Sequence, residues 1–396
     1  MDVYLVDGVR SPVGRLGGAL STIRADDLAA QVVAAAVRRS GVDPTSIDDV
    51  VLGAANQSGE DNRNVARMAA LLAGLPHEVR GYTVHRLCAS GLQALASAAQ
   101  AIKACYVSLI VAGRVESMTR APWVMEKPDR AWSKPGDVSD TALGWRFVNP
   151  RMTELDGGDA TLSLGACTEK LAKIYAITRE ESDEYAARSQ RLATTARKQG
   201  NFDGEIESID LGKLGVFAHD ETVREDTSAD ALSKLRPAFA ADGLVTAGNS
   251  SPISDGASAI VVASSDAVTR QGLTPRARIV GYSVAGVEPS LFGLGPVPAI
   301  TKLLHSTGHT IGDIDVVEIN EAFAAQVLAC ERALSLDRSQ LNPQGGAIAL
   351  GHPLGSSGSR IVISMLGLLE RTGGRFGIAA LCIGVGQGAA MLIERL

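Results

Sequence analysis

Two stretches far apart in the chain repeat one another. GVDPTSIDDVV, ending at Val51, is matched by GHTIGDIDVV, ending at Val317, and each leads into a polar segment and then a helix. Solenoid units recur every 20–50 residues or so, and this period is far longer. The repeat instead reads as one α/β unit duplicated, its two copies packed about a pseudo-twofold axis. That arrangement brings equivalent positions of the copies to a common centre. Counted from the shared Asp-Val-Val, Cys88 follows Asp49 by 39 positions and His352 follows Asp315 by 37. Each is followed by small residues, a helix and an apolar strand, over 107–111 after the cysteine and 376–381 after the histidine.

The β-then-α rhythm starts at once. Val3 to Val6 reads as a buried strand, and Leu28, Val32 and Ala35 mark one face of a helix that ends in Arg38 and Arg39 before Gly41. At 396 residues the chain exceeds one compact core. The expected division is an N-terminal half over 1–118 with 245–270, an inserted loop domain over 119–244, and a C-terminal half over 271–396. All three tryptophans of the insertion lie between Trp123 and Trp145 amid Pro122, Pro128, Pro135 and Gly136. This texture suits a lid-like, loop-rich segment. Thr178 to Glu181 is a T-x-x-E capping box opening a helix that Gly200 closes.

A net charge of -6 without any Lys/Arg block argues against a nucleic-acid surface. No apolar run is long enough for a membrane span. The five cysteines are odd in number and show no CxxC spacing, which fits neither a disulfide framework nor a zinc site. A reducing compartment follows, and a start without the marks of a signal or transit peptide points to the cytoplasm.

Cys88, in VHRLCASGLQAL, stands just before a helix whose unpaired N–H groups are expected to lower its pKa. From this window alone it is either a nucleophile or a packed core thiol. His352, in GGAIALGHPLGSSGSR, is held extended by Pro353 and is displayed as a base able to take a thiol proton. Cys382 ends an apolar strand in ALCIGVGQGAA, where the glycines allow a turn whose amides face a developing negative charge. A dinucleotide fingerprint is excluded there, because the chain ends at Leu396 before the helix and second strand it needs. Asn320, in VVEINEAFAAQ, is either an N-cap or an amide that orients a water. Cys105, Cys167 and Cys330 read as packing residues.

RLCASGLQA, AGRVESM, NEAFAAQ, GGAIALGHPLGSSGSR and CIGVGQG, in this order and spacing, resemble the thiolase family of acyl-CoA acetyltransferases from VRSPVGR to the C-terminus. The resemblance implies an α/β fold of two βαβαβαββ halves, a layered α-β-α-β-α core, with an inserted loop domain. It implies reversible CoA-dependent cleavage of 3-ketoacyl-CoA through a cysteine acyl-enzyme, with acyl-CoA and CoA as partners, no tightly bound cofactor and no metal. Cys88 would become acylated and His352 would activate it. Cys382 would move a proton at the α-carbon. Asn320 would hold a water that, with His352, stabilises the enolate, and the amides of Cys88 and Gly384 would form the second oxyanion site. TAGNSSPISDG suggests Ser251 and Ala247 along the pantetheine channel, with Arg224 toward the adenine; Phe239 and Phe323 would wall the acyl pocket. A homodimer or homotetramer is implied.

Three positions depart from the family pattern: His85 where Asn is frequent, Pro252 for a usual Gly, and Val385 for the second glycine of the turn after Cys382. A β-branched residue tolerates positive φ poorly, so the turn is expected to have negative φ there or to be reshaped. DTALGWRFVNPRM resembles thiolases acting on β-ketoadipyl-CoA and related degradative substrates. Arg146 and Arg151 within it are either solvated or turned to a substrate carboxylate. A decarboxylating ketosynthase would pair its cysteine with two histidines, and the second position here is Cys382. A non-catalytic acyl-CoA or lipid-binding relative would lack a catalytic side chain, yet all four remain.

Overall fold

The computed structural model describes residues 2–56, 59–354 and 357–396. The first half runs β1 (Val3–Arg10), α1 (Ala25–Ser40), β2 (Asp49–Gly53), α2 (Val65–Leu72), β3 (Arg80–Val84), α3 (Ser90–Lys103) and β4 (Leu109–Ser117). An excursion containing α4 (Leu164–Ile174) and α5 (Arg179–Lys198) precedes β5 (Ser254–Ser264). The second half follows as β6 (Ala277–Gly286), α6 (Pro296–Thr307), β7 (Val316–Ile319), α7 (Ala324–Leu334), α8 (Ser357–Thr372), β8 (Phe376–Ile383) and β9 (Gln387–Arg395).

The sheet makes the duplication visible. Its order is β7-β8-β9-β6-β1-β5-β4-β2-β3, so β6, β9, β8 and β7 repeat the places of β1, β5, β4 and β2. Directions repeat too: β4 is parallel to β2 and antiparallel to β5, as β8 is to β7 and β9. The halves join where Leu5 pairs with Ala277 and Tyr4 with Arg278. The counterpart of β3 is reduced to one bridge between Val317 and Leu341.

Three apolar clusters separate five layers. Leu28 and Val32 of α1 and Ala66 of α2 cover the outer face of the first half. Ile300 and Leu303 of α6 with Val327 and Leu328 of α7 cover that of the second. Between them, Leu92 and Leu95 of α3 pack with Ile361 and Met365 of α8. Strands β4 and β5 are buried at every position, which accounts for their near-continuous small and β-branched composition.

The two central helices meet at their first turns because glycine is placed there. A Cβ on Gly358 would lie 2.4 Å from Leu92 N, and one on Gly91 would lie 2.8 Å from Ser359 Oγ. Ser359 Oγ in turn lies 2.6 Å from Ser258 Oγ of β5. This contact sets the separation of the loops just before each helix, which carry Cys88 and His352.

The excursion is anchored to the second half. Thr178 and Glu181 cap α5 reciprocally, at 2.8 and 3.2 Å, and Tyr185 Oη and Ser189 Oγ donate to the buried Glu321 at 3.0 and 2.7 Å. Trp123 and Trp132 are largely exposed, the first on a small hairpin of Trp123–Met125 with Val138–Asp140.

Gly358→Ala should destabilise the protein by about 1–3 kcal/mol through overpacking, read as a lower urea midpoint. Gly367→Ala on the same helix meets only the tip of Arg371 at 3.2 Å; it should be neutral or slightly stabilising. Equal midpoints for the two variants would contradict the packing described.

Candidate active site

Cys88 sits in a strained turn between β3 and α3. Leu87, just before it, has φ 45, a left-handed conformation costing about 1–3 kcal/mol for a residue with a side chain. Side-chain hydrogen bonds help hold it: Arg86 N donates to Ser90 Oγ at 2.9 Å, Ser90 Oγ donates to Leu87 O at 2.7 Å, and Leu87 N donates to His85 Nδ1 at 3.1 Å. His85 is thus a structural part of the Cys88 turn. The thiol is buried, 7% exposed. The expectation of a lowered pKa is overturned: burial pushes the Cys88 thiol up to about 11, against the charge of Arg114 and the amides of Gly384 and Cys88. Desolvation outweighs the helix terminus.

His352 stands on the corresponding loop before α8. Its N–H donates to Pro252 O at 3.3 Å, so the proline supplies the one group used there, a carbonyl. His352 Nδ1 lies 2.5 Å from Ser357 Oγ, and Nε2 lies 3.5 Å from Asn320 Nδ2. With Nδ1–H donated to the serine, Nε2 keeps its lone pair toward the amide. Burial, then the charges of Arg114 and Arg360, hold the imidazole down to about 3, so it is neutral at physiological pH. Asn320 is not an N-cap, since Phe323 takes that place on α7. Its N–H donates to Ala380 O at 2.9 Å, and its buried Oδ1 has no hydrogen-bond partner among the described residues.

Cys382 ends β8. Ile383 pairs with Gln387 across the turn to β9. Val385 keeps a left-handed conformation, φ 62, not the negative φ expected of a β-branched residue. Its strain is held by the tightly packed Gly386, where a Cβ would lie 2.3 Å from Val287 O. The Gly384 N–H hydrogen-bonds the Cys88 sulfur, and burial, with Cys88 and Cys330 adding to it, raises the Cys382 thiol well above its usual range.

Cys88, His352, Cys382 and Gly384 line one cavity of about 540 Å³, together with Ser251, Phe239 and Phe323. The two phenyl rings meet edge to face at 6.2 Å. Asn320 lies behind His352 and outside the lining. Ala247 and Arg224 are exposed and do not line the cavity. Arg146 does line it, and Arg151 does not. Of the three cysteines read as packing, Cys330 is buried, Cys167 is buried on the cavity wall, and Cys105 is exposed; the last stands at φ 62 just after α3.

Sequence reasoning missed Arg114 and Glu116. Both are buried under the cavity floor. Arg114 Nη2 lies 3.3 Å from Glu116 Oε2 and donates to Pro353 O at 3.0 Å, while Glu116 accepts from the amides of Ala55 and Asn56 at 3.0 and 3.1 Å. The pair ties the β2 loop to the histidine loop. The available signal was two charges at alternate positions of LIVAGRVES, a strand otherwise apolar enough for complete burial.

The chain matches the family description "Thiolase, N-terminal domain" over residues 3–266 and "Thiolase, C-terminal domain" over 273–395. It is 51% identical to the 3-oxoadipyl-CoA/3-oxo-5,6-dehydrosuberyl-CoA thiolase of Escherichia coli (strain K12), covering 100% of both chains. It is 50% identical to a beta-ketoadipyl-CoA thiolase of Pseudomonas aeruginosa, covering 100% of this chain and 99% of that protein. The crystal structure of human mitochondrial 3-ketoacyl-CoA thiolase in complex with CoA superposes with TM-score 0.93 at 40% identity, over 100% of this chain and 98% of that one. With its duplicated sheet, its layered core and this full-length similarity, the chain belongs to the thiolase family.

Proposed function

We propose that this thiolase cleaves a 3-oxoacyl-CoA whose acyl chain ends in a carboxylate, giving acetyl-CoA and a shortened acyl-CoA in a degradative direction. The observation that carries the reading is the single cavity shared by Cys88, His352, Cys382 and Gly384. The names of the E. coli and P. aeruginosa relatives, which act on 3-oxoadipyl-CoA by their descriptions, support the dicarboxylic class.

In this reading the Cys88 S–H gives its proton to His352 Nε2 while the sulfur adds to the keto carbon. The bond between that carbon and the α-carbon then breaks, and its electron pair leaves as the enolate of acetyl-CoA. Cys382 protonates the α-carbon, becoming a thiolate, and acetyl-CoA departs. A second CoA loses its thiol proton to Cys382, its sulfur attacks the acyl carbon, and the released Cys88 sulfur recovers its proton from His352. Two oxyanions arise. The Cys88 and Gly384 amides face one, while His352 and a water on Asn320 face the other. Ser251 lies along the route of the pantetheine arm, with Ala247 and Arg224 serving CoA outside the cavity. The assembly in this reading is a homodimer or homotetramer, which the exposed Trp123 and Trp132 support, and its compartment is the cytoplasm.

A neutral thiol beside a neutral imidazole predicts how Cys88 alkylation depends on pH. A raised pKa leaves the thiolate scarce below about 11, so the iodoacetamide rate should climb about tenfold per pH unit from 7 to 10, and acyl-CoA should protect. A plateau below pH 8 would mean a preformed ion pair. The reading itself is tested by thiolysis of 3-oxoacyl-CoAs of graded length, including 3-oxoadipyl-CoA. Turnover fastest with the dicarboxylic substrate is expected; no thiolysis of any substrate would reject it.

A further inference from the structure

We propose that the cavity wall carries a receptor for a carboxylate at the far end of the acyl group, with Arg146 as its cation. The inference rests on the dicarboxylic thiolase reading above and assigns the residue that would select the substrate. Arg146 is the one Lys or Arg among the described residues lining the cavity, and no Asp or Glu is among them. The rest of the wall is largely apolar, including Leu87, Met118, Leu143, Trp145 and Phe292. A guanidinium facing such a space has a strong preference for an anion that accepts two parallel N–H groups.

Arg146 has no ion pair among the described residues, and its hydrogen bond is a marginal one, Nη2 to Asn56 Oδ1 at 3.5 Å. The support under it is nevertheless built. Asn56 Nδ2 donates to Thr141 O at 3.0 Å, fixing the strand of chain that leads to Arg146. The Asn56 backbone N–H is held at 3.1 Å by Glu116 Oε1, the same buried carboxylate that pairs with Arg114 under Cys88. The guanidinium is therefore linked, through Asn56, Glu116 and Arg114, to the loop that carries His352.

His85, also on the wall, does not compete for the anion. Its Nδ1 accepts from Leu87 N, and its ring also bonds the Ala55 backbone. Burial first, with Arg146 adding to it, keeps it below its usual pKa and hence neutral. Thiolysis of a 3-oxo dicarboxylic substrate leaves on Cys88 an acyl group ending in a carboxylate, the ligand this wall lacks. A phosphate of CoA offers the same anionic oxygens, and the test separates the two sources.

The measurement is kcat/KM for 3-oxoadipyl-CoA and for 3-oxohexanoyl-CoA, of equal length but ending in a methyl group, together with the KM for CoA. Wild type should prefer the dicarboxylic substrate. Arg146→Gln should lower the ratio of the two kcat/KM values tenfold or more, Arg146→Lys should recover part of it, and Arg151→Gln, off the cavity, should leave it unchanged. Turnover of the methyl-terminated substrate reports that each variant is folded. An unchanged ratio in Arg146→Gln, with wild-type preference present, would overturn the assignment and leave the dicarboxylic reading standing. Equal loss on both substrates with a raised KM for CoA would assign Arg146 to a CoA phosphate and overturn it as well. Absence of the preference in wild type would defeat the underlying substrate reading.

Discussion

The site depends on the contact between the first turns of the two central helices. Gly91 and Gly358 let the helix starts approach until a single added methyl group would collide with Leu92 or Ser359. Interiors are packed too densely for such a clash to be absorbed locally. Because the halves are copies, this one contact fixes both loops that precede it, and a thiol and an imidazole from opposite halves share one cavity. Arg114 reinforces the junction from below, reaching Pro353 O at 3.0 Å.

The same convergence decides the electrostatics. Bringing Cys88 to the centre of a five-layer core buries it. The rise from 9.0 to about 11 corresponds to roughly 3 kcal/mol, whereas a helix terminus supplies about 0.3–1 kcal/mol. Burial wins, and the resting site holds two neutral groups. In the proposed reaction charge appears only as bonds change, where the amides of Gly384 and Cys88, the Asn320 amide and the Arg114 guanidinium are already in place. Such a site is quiet until a thioester enters, a useful property in a chain with three thiols on one cavity wall.

Much of this was legible in the sequence because the governing signals are local or repeated. The duplicated Asp-Val-Val segment pointed to the architecture, and the glycine-rich frames of Cys88, His352 and Cys382 pointed to residues that line one cavity. What stayed hidden depends on three-dimensional context. The thiol pKa follows from burial, which a helix-start motif does not report. Leu87 at φ 45 and Val385 at φ 62 violate local preference and are held by tertiary contacts. Asn320 looked equally like an N-cap until Phe323 proved to start the helix. That the exposed Arg146 borders the cavity required knowing where the excursion folds back.

The central claim is that this geometry makes one of five cysteines the acyl acceptor. Incubating the protein with an acyl-CoA and no free CoA, then locating the adduct by peptide mass spectrometry, tests it most directly. A single acyl group on Cys88, lost on adding CoA, is the predicted result. An adduct on Cys167 or Cys382 with Cys88 unmodified would contradict the account.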